Sequence, residues 1–204
     1  MIAVVDYGMG NRRSVEKALE HVGGRAVITR DHDEIRRADG VILPGVGAFP
    51  EGMRRLTALG LDSLLRDRAD AGVPLLGICL GMQLLFESSS EHRGAIGLGV
   101  LPGDVTYLDT RGRRLPHIGW NLVTMTRPAR LTEGLGDAAA FYHVHSLACR
   151  PADDADVAGT ASYGETFASI VERGNVFGAQ FHPEKSSRDG LALLRNFTRL
   201  RVPA

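Results

Sequence analysis

In the first half of the chain, short apolar runs alternate with longer stretches in which apolar residues recur at helical spacing. The apolar runs predict strands at Ile2–Val5, Ala26–Thr29, Gly40–Leu43 and Pro74–Ile78. The stretches between them predict helices over Asn11–His21, from near Asp31, over Phe49–Ala71 with a break at Gly60, and over Leu80–Glu87. This alternation indicates an α/β fold with a doubly wound, mostly parallel sheet, whose sites lie at the carboxyl ends of the strands.

The second half of the chain changes to more closely spaced β-type segments. They predict strands at Val100–Leu108, Gly119–Thr126, Ala140–Val144, Ala158–Tyr163, Ala168–Glu172 and Val176–Gln180, before a closing helix over Asp189–Arg201. We expect these to be shorter, partly antiparallel strands added to the same sheet. No repeat, low-complexity tract or long linker divides the sequence, so we predict a single domain over residues 1–204.

Composition limits the classes of partner and compartment. The 204 residues carry 24 basic and 24 acidic side chains, so the formal net charge is zero and gives no sign of a nucleic-acid or membrane partner. The two cysteines, Cys79 and Cys149, form no disulfide framework. The first residues read as a strand, without the basic region of a signal peptide, and no apolar run approaches the roughly 20 residues of a membrane span. We therefore expect a cytoplasmic protein.

Cys79 is the strongest candidate for chemistry. It lies at the centre of the run Gly77–Gly81, with the sequence GICLG, directly after a predicted buried strand. A nucleophile with glycine two residues to each side is typical of a sharp strand-to-helix turn, in which the nucleophile has a strained backbone. The N-terminus of the following helix favours a thiolate at this position. The alternative is a buried cysteine in a glycine-rich turn. Cys149 lacks this sequence context, so we expect it to be a structural packing residue.

A second motif supplies a base and an orienting carboxylate. In the extended segment His182–Glu184, side chains two residues apart fall on the same side, so Glu184 can reach the imidazole of His182. The preceding strand delivers His182 to a strand end, where Cys79 is also predicted. The three residues would form a Cys-His-Glu triad.

The loop after the third strand is a candidate oxyanion hole. Leu43–Phe49 contains Gly45 and Gly47, which permit backbone geometries that expose N–H groups. Together with the N–H of Leu80, such a loop can stabilise the oxyanion of a tetrahedral intermediate.

Two other motifs suggest ligand sites. The turn Asp6–Asn11 suggests a dinucleotide-binding loop, but Arg13 replaces the third glycine of that fingerprint. A metal site at His143, His145 and His182 is conceivable from the H-x-H spacing, although no carboxylate pattern completes it. We therefore predict no cofactor and no metal.

Three segments together resemble the class I (triad) glutamine amidotransferases. They are Pro44–Gly47 (PGVG), Gly77–Glu87 (GICLGMQLLFE) and His182–Glu184 (HPE). The resemblance covers essentially the whole chain. Within that family, the opening Asp6–Asn11 turn, His117–Asn121 (HIGWN) and His182–Ser186 (HPEKS) are similar to the glutaminase subunits of imidazole glycerol phosphate synthases.

The resemblance implies hydrolysis of L-glutamine to L-glutamate and ammonia. It implies a heterodimer, in which the ammonia passes to a (β/α)₈-barrel cyclase subunit that forms imidazole glycerol phosphate and an aminoimidazole carboxamide ribotide in histidine biosynthesis. By matching position, the triad would be Cys79, His182 and Glu184. The oxyanion group would comprise Val46, Gly47 and Leu80.

The resemblance also assigns substrate and partner residues. Glutamine would be held by Gln83 and Glu91, with the backbone near Ser146 and Leu147. The cyclase interface would include Asn11, Trp120, Tyr142 and Lys185.

Two alternatives stay open at the level of sequence. The segment His145–Leu147 (HSL) is similar to one found in the glutaminase subunits of anthranilate and aminodeoxychorismate synthases, whereas the HIGWN run favours the first assignment. A non-catalytic regulatory module on the same fold is the second alternative, although such modules usually lose the nucleophile or the histidine.

Overall fold

The computed structural model describes residues 1–92 and 94–200. The helices are α1 Arg12–His21, α2 His32–Arg37, α3 Phe49–Ala58, α4 Leu61–Asp70, α5 Leu80–Leu84 and α6 Ser187–Arg199. The strands of the first half are β1 Ile2–Val5, β2 Ala26–Thr29, β3 Gly40–Gly45, β4 Leu75–Cys79, β5 Ser88–Ser89 and β6 Ala95–Ile96. Those of the second half are β7 Gly103–Tyr107, β8 His117–Met125, β9 Ala138–His145, β10 Leu147–Pro151, β11 Val157–Tyr163, β12 Glu165–Arg173 and β13 Val176–Ala179.

All of these strands belong to one sheet, and its core is parallel. The strand order β2-β1-β3-β4-β13 is parallel throughout, which confirms the predicted doubly wound α/β fold. The order continues through β12, β10, β7, β5 and β6, and antiparallel pairs bring β11, β8 and β9 alongside. The added antiparallel strands therefore extend the sheet beyond β13, as the sequence predicts.

Helices cover both faces of the parallel core, because its strands are apolar on both sides. On one face, α1 and α6 bury Leu19 and Phe197 against β1, β3 and β4. On the other face, α2 to α5 bury side chains such as Ile35, Leu56 and Leu84. The predicted break at Gly60 is confirmed, since this residue has a φ of +64° between α3 and α4. No helix in the described ranges is long and apolar enough to cross a bilayer.

Two predicted boundaries need correction, and some strands were not predicted. The helix after Cys79 stops at Leu84, well before Glu87, because its terminal carbonyls accept hydrogen bonds from the N–H groups of Leu98, Val100 and Leu101. The strand predicted from Val100 begins only at Gly103, because the N–H groups of Val100 and Leu101 bond to the end of α5. Strands β5 and β6, which follow α5, were not predicted.

Strand β10 was also missed. Ser146 is the only residue between β9 and β10, and the chain changes its pairing partner there from β8 to β7. A break of one residue leaves no turn signature in the sequence. The predicted end of the last helix, Arg201, lies outside the described residues.

Candidate active site

Cys79 lies on a sharp turn between β4 and α5. Its backbone has φ 54° and ψ −112°, a conformation that L-residues rarely adopt. A Cβ on Gly77 would lie 2.6 Å from the Gly81 carbonyl and the Cα of Met82, and a Cβ on Gly81 would overlap the Leu43 carbonyl oxygen. Both flanking glycines are therefore required for the close approach of α5 to the sheet. The Cys79 side chain is almost fully buried, with Sγ 3.6 Å from the Val144 carbonyl oxygen.

Strand β13 brings His182 to Cys79. It pairs with β4 in parallel, with Ala179 opposite Ile78, so the residues that follow each strand emerge side by side. His182 Nδ1 lies 3.0 Å from Glu184 Oε1, and both side chains are buried. Burial opposes a charged imidazole, but interactions with Cys79 and Glu184 outweigh it and raise the pKa of His182 to about 10. The raised pKa favours the charged form of the ring, which interacts with both Cys79 and Glu184.

Neighbouring backbone and Ser186 hold His182 in place. The His182 N–H donates to the Tyr142 carbonyl oxygen at 2.9 Å. The Ser186 hydroxyl donates to the His182 carbonyl at 2.6 Å and accepts from the Tyr142 N–H at 3.0 Å. Sequence reasoning gave Ser186 no role. It is fully buried and ties strand β9 to the segment that carries His182 and Glu184.

The loop after β3 begins directly beside Cys79. Gly45 is paired with Cys79 in the sheet, so Val46 and Gly47 emerge next to the sulfur. Gly47 has φ +102°. Leu80 is the first residue of α5, so its N–H has no acceptor within the helix. These backbone groups therefore border the space in front of the sulfur.

The Asp6–Asn11 turn packs against the same loop. A Cβ on Gly10 would lie 3.1 Å from the Pro44 carbonyl carbon and 3.2 Å from the Gly45 nitrogen. The turn therefore packs closely against the loop that follows β3.

A cavity of about 320 Å³ is lined by most of the residues predicted for the site. It is lined by Val46, Gly47, Cys79, Leu80, Gln83, Glu91, Ser146, Leu147 and His182, together with Pro116, Val144 and His145. The last three were not predicted as site residues, although His145 is the first residue of the HSL segment that contains Ser146 and Leu147. Glu184 lies behind His182, outside the cavity lining.

Two polar side chains of the cavity have defined partners. Gln83 Nε2 donates to the Leu147 carbonyl at 3.3 Å and to Gln180 Oε1 at 3.1 Å. Both of its bonds use the amino group, so its oxygen stays available to a ligand. Glu91 Oε2 accepts from the Phe49 N–H at 2.6 Å, at the first residue of α3. Glu91 therefore caps a helix as well as bordering the cavity.

The residues predicted for a partner lie outside the cavity. Trp120 is 55% exposed on β8, and its ring centroid lies 6.2 Å from that of Tyr142 on β9. Ile118 and Leu122 flank Trp120 on the same face of β8 and are 60% and 58% exposed. Together they form an exposed apolar stripe. Lys185 is exposed directly after the triad segment, and Asn11 precedes α1.

Metal-ligand geometry is absent from residues 1–92 and 94–200, where no cluster of three or more His, Cys, Asp or Glu side chains could hold an ion. His143 and His145 instead use their nitrogens in hydrogen bonds within the protein. A larger open groove of about 770 Å³ lies around Arg127 and Arg130, but it contains none of the predicted site residues.

Comparisons with known proteins agree with this geometry. The family model described as "Glutamine amidotransferase class-I" matches residues 3–200. The chain belongs to the class-I glutamine amidotransferases. Among them it is similar to imidazole glycerol phosphate synthase subunit HisH of Moorella thermoacetica, with 51% identity over 98% of this chain and 94% of that protein. The HisH subunit of Bacillus cereus strain G9842 is also 51% identical, over 97% of this chain and 93% of that protein.

Solved structures show the same class-I amidotransferase fold at lower sequence similarity. A crystal structure of a glutamine amidotransferase superposes with a TM-score of 0.76 at 23% identity, covering 97% of both chains. A chain in the structure of PurLQS from Thermotoga maritima gives a TM-score of 0.75 at 22% identity, covering 96% of both chains. At these identities the likeness concerns the fold alone.

Proposed function

We propose that this chain is the glutaminase subunit of an imidazole glycerol phosphate synthase. It hydrolyses L-glutamine to L-glutamate and ammonia through Cys79, His182 and Glu184. The observation that carries the proposal is that Cys79 and His182 line one cavity, with Glu184 bonded to His182 behind it, in a chain about half identical to HisH subunits over nearly their whole length. Those relatives also favour this assignment over a subunit of anthranilate or aminodeoxychorismate synthase.

The first half of the reaction forms a covalent intermediate. The Cys79 thiolate attacks the side-chain amide carbon of glutamine, and the carbonyl π electrons move onto oxygen. The imidazolium of His182 gives its proton to the amide nitrogen, which leaves as ammonia when the tetrahedral intermediate collapses. A raised His182 pKa suits this step, because the acid is already protonated at neutral pH. Glu184 stabilises that charged form.

The second half releases glutamate. Neutral His182 now accepts a proton from water, and the hydroxide attacks the γ-glutamyl thioester carbon. Collapse of the second tetrahedral intermediate breaks the carbon–sulfur bond and restores the thiolate and imidazolium. In both halves the oxyanion accepts hydrogen bonds from Leu80 N–H and from the loop at Val46 and Gly47, and losing one such donor typically costs on the order of a hundredfold in rate.

Glutamine recognition uses the remaining polar groups of the cavity. Gln83 presents its free oxygen to the substrate, since both of its donated bonds go to protein acceptors. Glu91 provides negative charge for the substrate ammonium group. The backbone at Ser146 and Leu147 borders the same space.

The partner is a cyclase subunit, which we take to be a (β/α)₈ barrel that forms a heterodimer with this chain. It consumes the ammonia together with a ribotide to give imidazole glycerol phosphate. The apolar stripe at Trp120, together with Tyr142, Lys185 and Asn11, provides the docking surface. An exposed row of large apolar side chains is typical of a protein interface.

A reducing cytoplasm suits the two free cysteines.

Ammonia release from glutamine tests the proposal directly. The chain is assayed alone, with the cyclase subunit, and with the cyclase and its ribotide ligand. We expect the highest rate in the last case. Cys79→Ala should abolish turnover in all three.

Cys149→Ala is the matched control for this experiment. Cys149 is buried in β10, and burial raises the pKa of its thiol well above the ordinary value, so it is a packing residue and turnover should persist. Wild-type turnover by Cys79→Ala would refute the nucleophile. Absence of turnover in the wild-type complex would instead favour the regulatory module.

A further inference from the structure

Three histidines that the catalytic mechanism does not use are buried where β8 and β9 pair. His117 lies on β8, directly opposite His145 of β9, and His143 lies two residues earlier on β9. All three are at most 5% exposed. Burial lowers the pKa of His143 to about 3 and that of His145 to about 4, and it also lowers the pKa of His117, which faces the charge of Arg113 as well. The three rings are therefore neutral, each with one donor and one acceptor nitrogen.

Only one direction of hydrogen bonding satisfies His145 and His117. His145 Nδ1 lies 2.8 Å from the Leu147 carbonyl oxygen, which can only accept, so Nδ1 carries the proton. His145 Nε2 must then accept, and it does so from His117 Nδ1 at 3.0 Å. His117 Nε2 accepts in turn from Asn121 Nδ2 at 3.3 Å. The result is a directed chain of bonds from Asn121 to the Leu147 carbonyl, which we call the histidine relay.

The relay ends at the glutamine cavity, which is lined by both His145 and Leu147. The Leu147 carbonyl accepts from His145 and also from Gln83 Nε2. Gln180 Oε1 is the second acceptor for the same Gln83 amino group. Two acceptors on one side fix which end of the Gln83 amide is nitrogen and which is oxygen. The orientation of Gln83 therefore depends on a carbonyl that His145 holds in place.

His143 provides an internal comparison. It is as deeply buried as the relay and stacks on His117, with ring centroids 5.1 Å apart. Its nitrogens, however, bond to the Phe141 carbonyl at 3.1 Å and the Ser169 hydroxyl at 2.9 Å, and neither bond leads to the cavity. Loss of His143 thus removes packing and two hydrogen bonds without touching the acceptors of Gln83.

We propose that His117 and His145 are positioning residues for glutamine, which set the Leu147 carbonyl and thereby the direction of the Gln83 amide. The inference rests on the proposed glutaminase function. It assigns the relay to substrate affinity, whereas Cys79 and His182 carry out the chemical steps. Its loss should therefore raise KM for glutamine and change kcat much less.

The test compares His117→Leu with His143→Leu in the complex with the cyclase and its ribotide. We expect His117→Leu to raise KM for glutamine about tenfold, the typical effect of one buried hydrogen bond, with kcat within about threefold of wild type. His117→Asn keeps a donor near the Nδ1 position and should recover most of the affinity. His143→Leu should lower the melting temperature about as much as His117→Leu does, but it should leave KM for glutamine unchanged. An equal KM in the two leucine variants would overturn the proposal.

Two further measurements keep the proposal testable. If His117→Leu does not fold, Asn121→Ala removes the outer donor of the relay and should still raise KM about threefold; an unchanged KM would count against the relay. Glutamine binding by calorimetry in a Cys79→Ala background separates affinity from turnover. If wild type turns over glutamine but His117→Leu in this background binds it as tightly as the parent, the relay fails and the glutaminase function stands. If wild type turns over no glutamine and the parent binds none, both proposals fail.

Discussion

The close approach of α5 to the sheet makes Gly77→Ala an informative perturbation. The new Cβ would lie 2.6 Å from the Gly81 carbonyl and the Cα of Met82, about 0.8 Å short of the 3.4 Å at which ordinary contact begins. These are backbone atoms, so no rotamer change relieves the overlap. Helix α5 must move away from β4 by a comparable distance, and Cys79 and Leu80 move with it.

The expected cost follows from that displacement. Overpacking of this kind destabilises a fold by about 1–3 kcal/mol. A misplacement of about 1 Å between reacting groups can reduce turnover by about a hundredfold. Urea denaturation and ammonia release in the cyclase complex measure the two effects separately. We expect a lower denaturation midpoint and a kcat reduced on the order of a hundredfold.

Gly52→Ala is the matched control. Gly52 lies in α3 and faces the same helix α5, but a Cβ there would meet only side-chain methyl groups, those of Leu84 at 3.1 and 3.2 Å and one of Leu80 at 3.5 Å. Those methyls can adjust, and alanine favours a helix by up to about 1 kcal/mol over glycine. We expect this variant to be close to wild type in stability and activity. A Gly77→Ala protein with wild-type midpoint and kcat would refute the close-approach argument.

Two further predictions concern buried polar groups. His182 has a pKa of about 10 in the folded chain and 6.5 as its ordinary value, so its stabilising contribution is complete below pH 6.5 and is lost as pH rises through 10. Glu184→Gln should lower that pKa and flatten the fall in unfolding free energy between pH 7 and 10, a fall of at most about 1.4 kcal/mol per pH unit for one proton; superimposable curves would contradict the pairing. The Tyr7 hydroxyl is buried without a hydrogen-bond partner among the described residues, so Tyr7→Phe should raise the unfolding free energy by about 1 kcal/mol, and a clear loss would show that the hydroxyl is satisfied.

The class of fold and most of the site could be predicted from the sequence because their signals are local. Gly77 and Gly81 mark the turn at Cys79, and two-residue spacing places Glu184 beside His182. The parallel strands then bring these segments together without further information, since neighbouring strand ends lie at one sheet edge. Resemblance to a family added Gln83 and Glu91, which no local pattern distinguishes.

The histidine relay and the hydrogen bonds of Ser186 to Tyr142 and His182 could not be predicted in this way. His117 meets His145 only because β8 and β9 pair in one register, and a shift of one residue would move every side chain to the opposite face. Ser186 reaches Tyr142 across 44 residues of sequence. Such contacts depend on non-local pairing, and the HIGWN, HSL and HPEKS runs indicate only that these histidines and this serine are present.

Strand β9 joins the features that sequence reasoning treated separately. Its Tyr142 carbonyl accepts from the His182 N–H, and its Val144 carbonyl lies 3.6 Å from Cys79 Sγ. The side chains of His143 and His145 lie on the face of the strand opposite to that of Tyr142. His145 contacts the glutamine cavity through its bond to the Leu147 carbonyl. Because Tyr142 also packs against Trp120 at the proposed docking surface, one strand contacts the partner side, the base, the nucleophile and the substrate wall. Displacement of β9 would therefore change the hydrogen bond to the His182 N–H, the contact with Cys79 Sγ and the bond from His145 to the Leu147 carbonyl together.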